Sequence, residues 1–127
     1  MKNSFCHCEL NSADPGKSIG FFKELFPDWT FNEMSTPNGA YTLVQTADGG
    51  IGGAICGTPE PGSPSKWVPY VMVEDIKATT AKLETMGATI LHKLHDVGPG
   101  WITLFHDPTG VLTGLYELKP GTMPPPK

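Results

Sequence analysis

From Ser4 to Asn11 polar and apolar positions alternate, the period of a strand with one buried face. Asp14 then offers an N-cap, and Pro15 takes the first helical position, where a missing N–H costs nothing. Ile19, Phe22 and Phe26 recur at helical spacing with Leu25 beside them, so a helix is predicted up to Pro27. Strands are predicted over 29–34, 40–46 and 51–56. Pro37-Asn38-Gly39 and Asp48-Gly49-Gly50 mark the turns between them. The first part of the chain therefore reads strand, helix, strand, strand, strand.

Thr58 to Lys66, TPEPGSPSK, is Pro-rich and lacks large apolar residues, the composition of a linker. After it the same order returns. Trp67 to Val73 is dense in β-branched and aromatic residues and predicts a strand. Asp75 caps a second helix, with Ile76, Leu83 and Met86 on its buried side and Gly87 as terminator. Further strands are expected over 89–95, 101–106 and 111–118, the last two joined by Asp107-Pro108-Thr109-Gly110. Asp14 and Asp75 open equivalent helices 61 residues apart, and the residues seven positions before them are His7 and Val68. This internal repeat sets the organisation. It predicts one domain over 1–127: module one at about 4–57, a linker at about 58–66, module two at about 67–118, and a flexible Pro-rich tail over 119–127.

The length suits one domain with a core of its own. A net charge of −4 with no basic stripe argues against nucleic acid, whose phosphates need clustered Lys or Arg. No run of eighteen apolar residues exists, so no membrane span is expected. Three cysteines are too few for a disulfide framework, and the start lacks a secretory h-region; a cytoplasmic protein is expected. Cys6 and Cys8 flank His7, but neighbours on a strand point to opposite faces, so the thiols read as small buried residues.

His7 and Glu9 are the one acid–base pair the pattern supports, two apart on a strand and hence on one face. A carboxylate beside an imidazole orients it and raises its pKa. The competing reading is two polar residues that satisfy each other. His92 and His95, three apart in a strand, are expected on opposite faces and so not in a shared metal site; His106 is expected at a strand end. Tyr41, Tyr70, Trp101 and Tyr116 would suit the lining of a site for a flat or amphipathic molecule, or would fill the core. The glycines around Ile51 lack the spacing, the following Lys-Ser/Thr and the helix of a phosphate loop.

The opening HCELNSADPGKSIGFFKELFPDW, the GGIGGAI strand, YVMVEDIKATTAKLETMGA and GPGWITLFHDPTGVLTGLYE together resemble the vicinal oxygen chelate superfamily of glyoxalases, bleomycin-resistance proteins and dioxygenases. The resemblance covers almost the whole chain and is most specific at Asp-Pro-x-Gly before the last strand. It implies an α+β fold: two βαβββ modules forming a curved mixed sheet around a U-shaped cavity, and frequent homodimers. Metal-using members place ligands on the first and last strands of each module. Carried over, these positions fall on His7, on Gly52 or Gly53, on Val68 and on Gly114. Glu9 and Glu117 are the nearby carboxylates, and Glu117 is out of phase with Gly114. By the same carry-over Tyr70 and Tyr116 face the cavity.

The expected function is therefore binding of a small organic molecule, held by His7, Glu9, Tyr41, Tyr70, Trp101 and Tyr116, without a complete metal site and with no cofactor. The alternative is a divalent-metal-dependent lyase, isomerase or dioxygenase, with His7, Glu9 and Glu117 as the candidate ligands. A third reading is a domain that only dimerises through sheet edges.

Overall fold

Asp14 and Asp75 start the two helices as their side chains require. Each carboxylate accepts a backbone N–H from the first turn, from Lys17 at 3.2 Å and from Ala78 at 3.1 Å. The computed structural model describes residues 2–36 and 39–120. The Pro37-Asn38 part of the first predicted turn and the tail from Gly121 lie outside the described residues. The elements are β1 (Phe5–Ser12), α1 (Pro15–Leu25), β2 (Thr30–Thr36), β3 (Gly39–Gln45), β4 (Gly52–Gly57), β5 (Lys66–Met72), α2 (Ile76–Glu84), β6 (Thr89–Asp96), β7 (Gly100–His106) and β8 (Leu112–Leu118). This is the predicted strand–helix–strand–strand–strand order, twice, in an α+β chain with mixed pairing.

The chain divides into two compact units whose limits cut through strands. One is His7–Val68; the other joins residues 2–6 to residues 69–120. In the first, the strands lie in the order β2-β3-β4-β1. β1 and β4 run parallel, with His7 opposite Gly52 and Asn11 opposite Cys56, and the other pairs are antiparallel. Leu10, Val44 and Ile55 form its buried centre, and Ile19 and Phe22 of α1 pack on it with Trp29 and Phe31. The helix itself buries no residue completely. Phe26 stacks on Trp29 with ring centres 4.5 Å apart, yet Phe26 and Leu25 are 39% and 51% exposed. The apolar stripe of α1 is therefore wider than the sheet surface it covers.

In the second unit the order is β5-β8-β7-β6. β5 runs parallel to β8, with Tyr70 opposite Gly114, and the remaining pairs are antiparallel. Val73, Ile76 and Leu115 form its centre, with Leu83, Leu94, Trp101 and Phe105 packed against it. Met86 was expected on the buried side of α2, but it is 58% exposed. The helix ends at Glu84 and Gly87 turns the chain at φ 81°, so Met86 leaves the helical phase before it can reach the sheet. Residues 2–6 belong here because the Ser4 carbonyl accepts from Met72 N at 2.9 Å and Asn3 donates to Met72 O. Lys119, expected to open the tail, is held by its amide on Pro99 O and by its ammonium on Asp96.

Candidate functional site

Alternation along β1 sends Cys8 and Leu10 toward α1 and His7, Glu9 and Asn11 to the opposite face. Sheet register then brings two more polar groups beside them. Cys56 is opposite Asn11 on one side and Tyr41 on the other, so Asn11, Cys56 and Tyr41 lie abreast on three strands. The result is a connected chain of side chains. Asn11 Nδ2 donates to Glu9 Oε1 at 2.9 Å, and Tyr41 Oη donates to Glu9 Oε2 at 2.8 Å. That commits the one tyrosine proton. Tyr41 Oη therefore accepts from His7 Nε2 at 3.0 Å, which assigns the Nε2–H tautomer to His7. Asn11 Nδ2 also approaches Cys56 Sγ at 3.6 Å.

The chain is buried. Glu9 is 7% exposed and Asn11 is sealed. A carboxylate in such a place must be fully hydrogen-bonded, and Asn11 and Tyr41 supply one donor to each oxygen. Burial holds the His7 imidazole below its ordinary pKa, and the Glu9 charge opposes that shift without reversing it. The Cys56 thiol is pushed up to about 12, first by burial and then by the charge of Glu9 and a hydrogen bond to it. Cys6 and Cys8 are likewise raised by burial. In all three the shift disfavours the thiolate.

A pH dependence follows from His7. Its folded-state pKa is depressed, so between that value and the ordinary 6.5 the unfolded chain binds a proton that the native chain does not. The stability is fully present above about 6.5 and is lost as pH falls through the folded value. Urea midpoints measured from pH 7.5 to 5.0 are expected to decline, and His7→Gln is expected to flatten that decline. An unchanged slope in His7→Gln would assign the proton uptake elsewhere, for instance to His92, whose pKa burial also lowers.

The other candidate residues belong to the second unit. Tyr70 is buried and lies over Gly114, where an added Cβ would run into its ring. Tyr116 shares that face, half-buried, with its hydroxyl over Gly100; burial and the nearby Cys6 raise its phenol pKa. Trp101 does not join them. It faces the Val73–Ile76–Leu115 cluster under α2, with Lys119 Nζ 5.4 Å above its ring. Glu117 pairs with Trp101 in register and its Oε1 accepts from Ile76 N at 2.8 Å, so it caps α2 rather than facing with Gly114. Opposite His7 and Glu9, on the α1 face, lies an apolar cleft of about 290 Å3 between Trp29, Trp67, Cys8, Ile51 and Ile55.

The sequence positions inherited from metal-using relatives do not assemble a ligand set. Gly52 and Gly53 have no side chain to offer, Val68 is a buried hydrocarbon, and Gly114 lies under the Tyr70 ring. Both oxygens of Glu9 already accept hydrogen bonds. Among the described residues no group of three or more His, Cys, Asp or Glu side chains is placed to hold an ion. Two members of the polar chain, Asn11 and Cys56, carried no signal as site residues in the sequence. Only the register of three strands places them beside Glu9.

The fold and this arrangement define a class. A model of the Glyoxalase/Bleomycin resistance protein/Dioxygenase superfamily matches residues 4–115, and the chain belongs to that superfamily. A candidate glyoxylase of Mycobacterium tuberculosis, CFP32, is 29% identical over 116 residues, covering 86% of this chain and 43% of the relative. The anthracycline biosynthesis protein DnrV of Streptomyces peucetius is 30% identical over 125 residues, covering 86% and 45%. The chain thus spans less than half the length of the curated relatives it matches. Methylmalonyl-CoA epimerase from Mycobacterium tuberculosis superposes with a TM-score of 0.68 at 16% identity, over 91% of this chain and 88% of that one. A Streptomyces coelicolor methylmalonyl-CoA epimerase variant bound to 2-nitronate-propionyl-CoA gives 0.68 at 17% identity, over 98% and 100%. These likenesses establish the fold.

Proposed function

We propose that this domain binds a small organic molecule on the β1–β4 face turned away from α1, with His7 and Tyr41 as its polar contacts. The observation that carries the reading is the buried chain from His7 through Tyr41 and Glu9 to Asn11. Glu9 orients Tyr41, Tyr41 fixes the His7 tautomer, and the remaining Asn11 Oδ1 is a sealed acceptor with no hydrogen-bond partner among the described residues. Such an acceptor favours a partner with an N–H or O–H. Preset polar groups beside Ala54 and Leu43, which register places on the same face, suit an oxygenated, largely apolar ligand. The names of the relatives, an anthracycline biosynthesis protein and a candidate glyoxylase, support that substrate class. A homodimer in the cytoplasm is part of this reading.

The second reading, a divalent-metal-dependent lyase, isomerase or dioxygenase, rests on His7 occupying the first ligand position. One experiment separates the two. Protein purified without chelators would be examined by native mass spectrometry and elemental analysis, which report subunit number, bound metal and any retained organic mass together. It would then be titrated with 1,8-dihydroxyanthraquinone by NMR. The expected result is perturbation centred on His7 and Tyr41 and affinity reduced roughly tenfold in His7→Ala, the loss of one charge-free hydrogen-bonding anchor. One divalent ion per chain that disappears in His7→Ala would establish the enzyme reading instead. Perturbation confined to Trp29 and Trp67 would place the ligand in the apolar cleft and reject the proposed face.

A further inference from the structure

Two histidines that alternation sends to opposite faces are in contact. His92 and His95 have ring centres 4.9 Å apart at an interplanar angle of 61°. The cause is an irregularity in β6. Its register against β7 shifts on either side of His92, and Leu94 sits at φ 53°, the left-handed region that a branched side chain enters at a cost of about 1 kcal/mol. The structure holds that strain firmly. Leu94 N donates to Thr103 Oγ1 at 3.1 Å, and Thr103 Oγ1 in turn meets Thr80 Oγ1 of α2 at 2.9 Å, with both threonines sealed from solvent. The Leu94 side chain is packed into the cluster around Val73, Ile76 and Leu115. A bulge fixed from both the backbone and the core is a means of aiming side chains.

The bulge aims them at one place. His92 is opposite Leu104 and His95 opposite Ile102, and these two are opposite Gly114 and Tyr116 on β8. Directly paired residues project to the same side. Both imidazoles therefore sit on the face of the β5–β8 sheet that carries Tyr70 and Tyr116, at its β6 edge. The spacing matches a shared ion. With metal–nitrogen bonds of about 2.0–2.1 Å, the ring centre roughly 1.1 Å further out and an angle between tetrahedral and square, two coordinated imidazoles would have centres about 4.5–5.2 Å apart.

We propose that His92 and His95 form a two-imidazole site for a divalent transition cation of the Zn2+ or Ni2+ class. Imidazole nitrogen selects such ions over Mg2+ and Ca2+, which require oxygen. The nearby carboxylates do not compete for the role: Glu84 is paired with Lys93 at 2.7 Å and Asp96 with Lys119 at 2.7 Å. Water or a ligand oxygen completes the coordination. Partial burial and the neighbouring ring lower the pKa of His92, which keeps it neutral and able to ligate at neutral pH. The proposal uses neither His7 nor Glu9 and does not depend on the function proposed for them.

The test is a calorimetric titration of the full chain with ZnCl2 at pH 7.5, with the imidazole proton signals followed by NMR. Wild-type protein is expected to bind Zn2+ with the His92 and His95 signals moving together, and MgCl2 is expected to leave them in place. His92→Ala and His95→Ala should each weaken binding about tenfold or more, as loss of one of two ligands demands. His92→Gln and His95→Gln, with thermal midpoints recorded beside them, separate lost ligation from lost folding. His106→Gln, which changes a histidine outside the pair, should retain the binding. Wild-type affinity in the His92 and His95 variants, a response of one ring alone, or loss of binding in His106→Gln would each overturn the proposal.

Discussion

Gly53→Ala is expected to lower stability by about 3 kcal/mol, at the upper end of the penalty for overpacking a well-fitted interior. Gly53 lies opposite Cys8 in the parallel β1–β4 pairing, and a Cβ there would overlap the Cys8 carbonyl oxygen. That oxygen belongs to the backbone of a paired strand and cannot swing aside as a side chain would. The loss would be a substantial part of the roughly 5–15 kcal/mol that holds a typical domain together. The neighbouring glycine is the control. A Cβ at Gly52 meets only the Val44 carbonyl oxygen, at 3.3 Å, so Gly52→Ala should cost less than about 1 kcal/mol. Urea unfolding of both variants gives the comparison. Equal midpoints would mean that β1 and β4 are not packed as closely as described.

Glu9→Ala should cost a similar amount by a different route. It removes the acceptor for Tyr41 Oη and for Asn11 Nδ2 at once, at about 1–3 kcal/mol for each bond lost, part of which Cys56 Sγ and water entering the vacated space would recover. A net loss of about 3 kcal/mol is expected. A second readout separates this from simple loss of volume. The charge of Glu9 and its hydrogen bond are the second and third causes raising the Cys56 thiol. In Glu9→Ala the thiol should therefore titrate well below about 12, the value in the intact protein, while burial keeps it above the ordinary 9.0. Thiolate absorbance against pH measures it. A Cys56 titration unmoved by the substitution would show that Glu9 does not act on it.

The fold was legible because local chemistry and repeat agree. Asp14 and Asp75 announce their helices, Gly87 ends the second, and two stretches of equal grammar demand two units of one topology. The half of the polar chain that lies on one strand was legible too, since the shared face of His7 and Glu9 needs only the two-residue period. Tyr41 could be picked out as an aromatic candidate, but its link to both residues could not. That link depends on which residues of β3, β4 and β1 come opposite one another, and register across a sheet is set by pairings far apart in sequence. The expectation for His92 and His95 failed for a related reason. Parity along a strand holds only while the strand is regular, and nothing in the types of residues 92–95 announces that Leu94 adopts a positive φ. Phe26, Leu25 and Met86 show the limit of helical periodicity, which identifies an apolar stripe but not how much partner surface exists to cover it.

Residues 2–6 belong with residues 69–120 although they precede them in translation. Asn3 bonds to Met72 across a sequence separation of 69 residues. At about 5–20 residues per second, Asn3 waits roughly 3–14 s for that partner to be synthesised. During that interval His7–Val68 can assemble as a unit, while the start of β1 remains an unsatisfied strand end carrying Phe5 and Cys6. Assembly thus has an order: residues 2–6 are translated before residues 69–120 and find their places only after them.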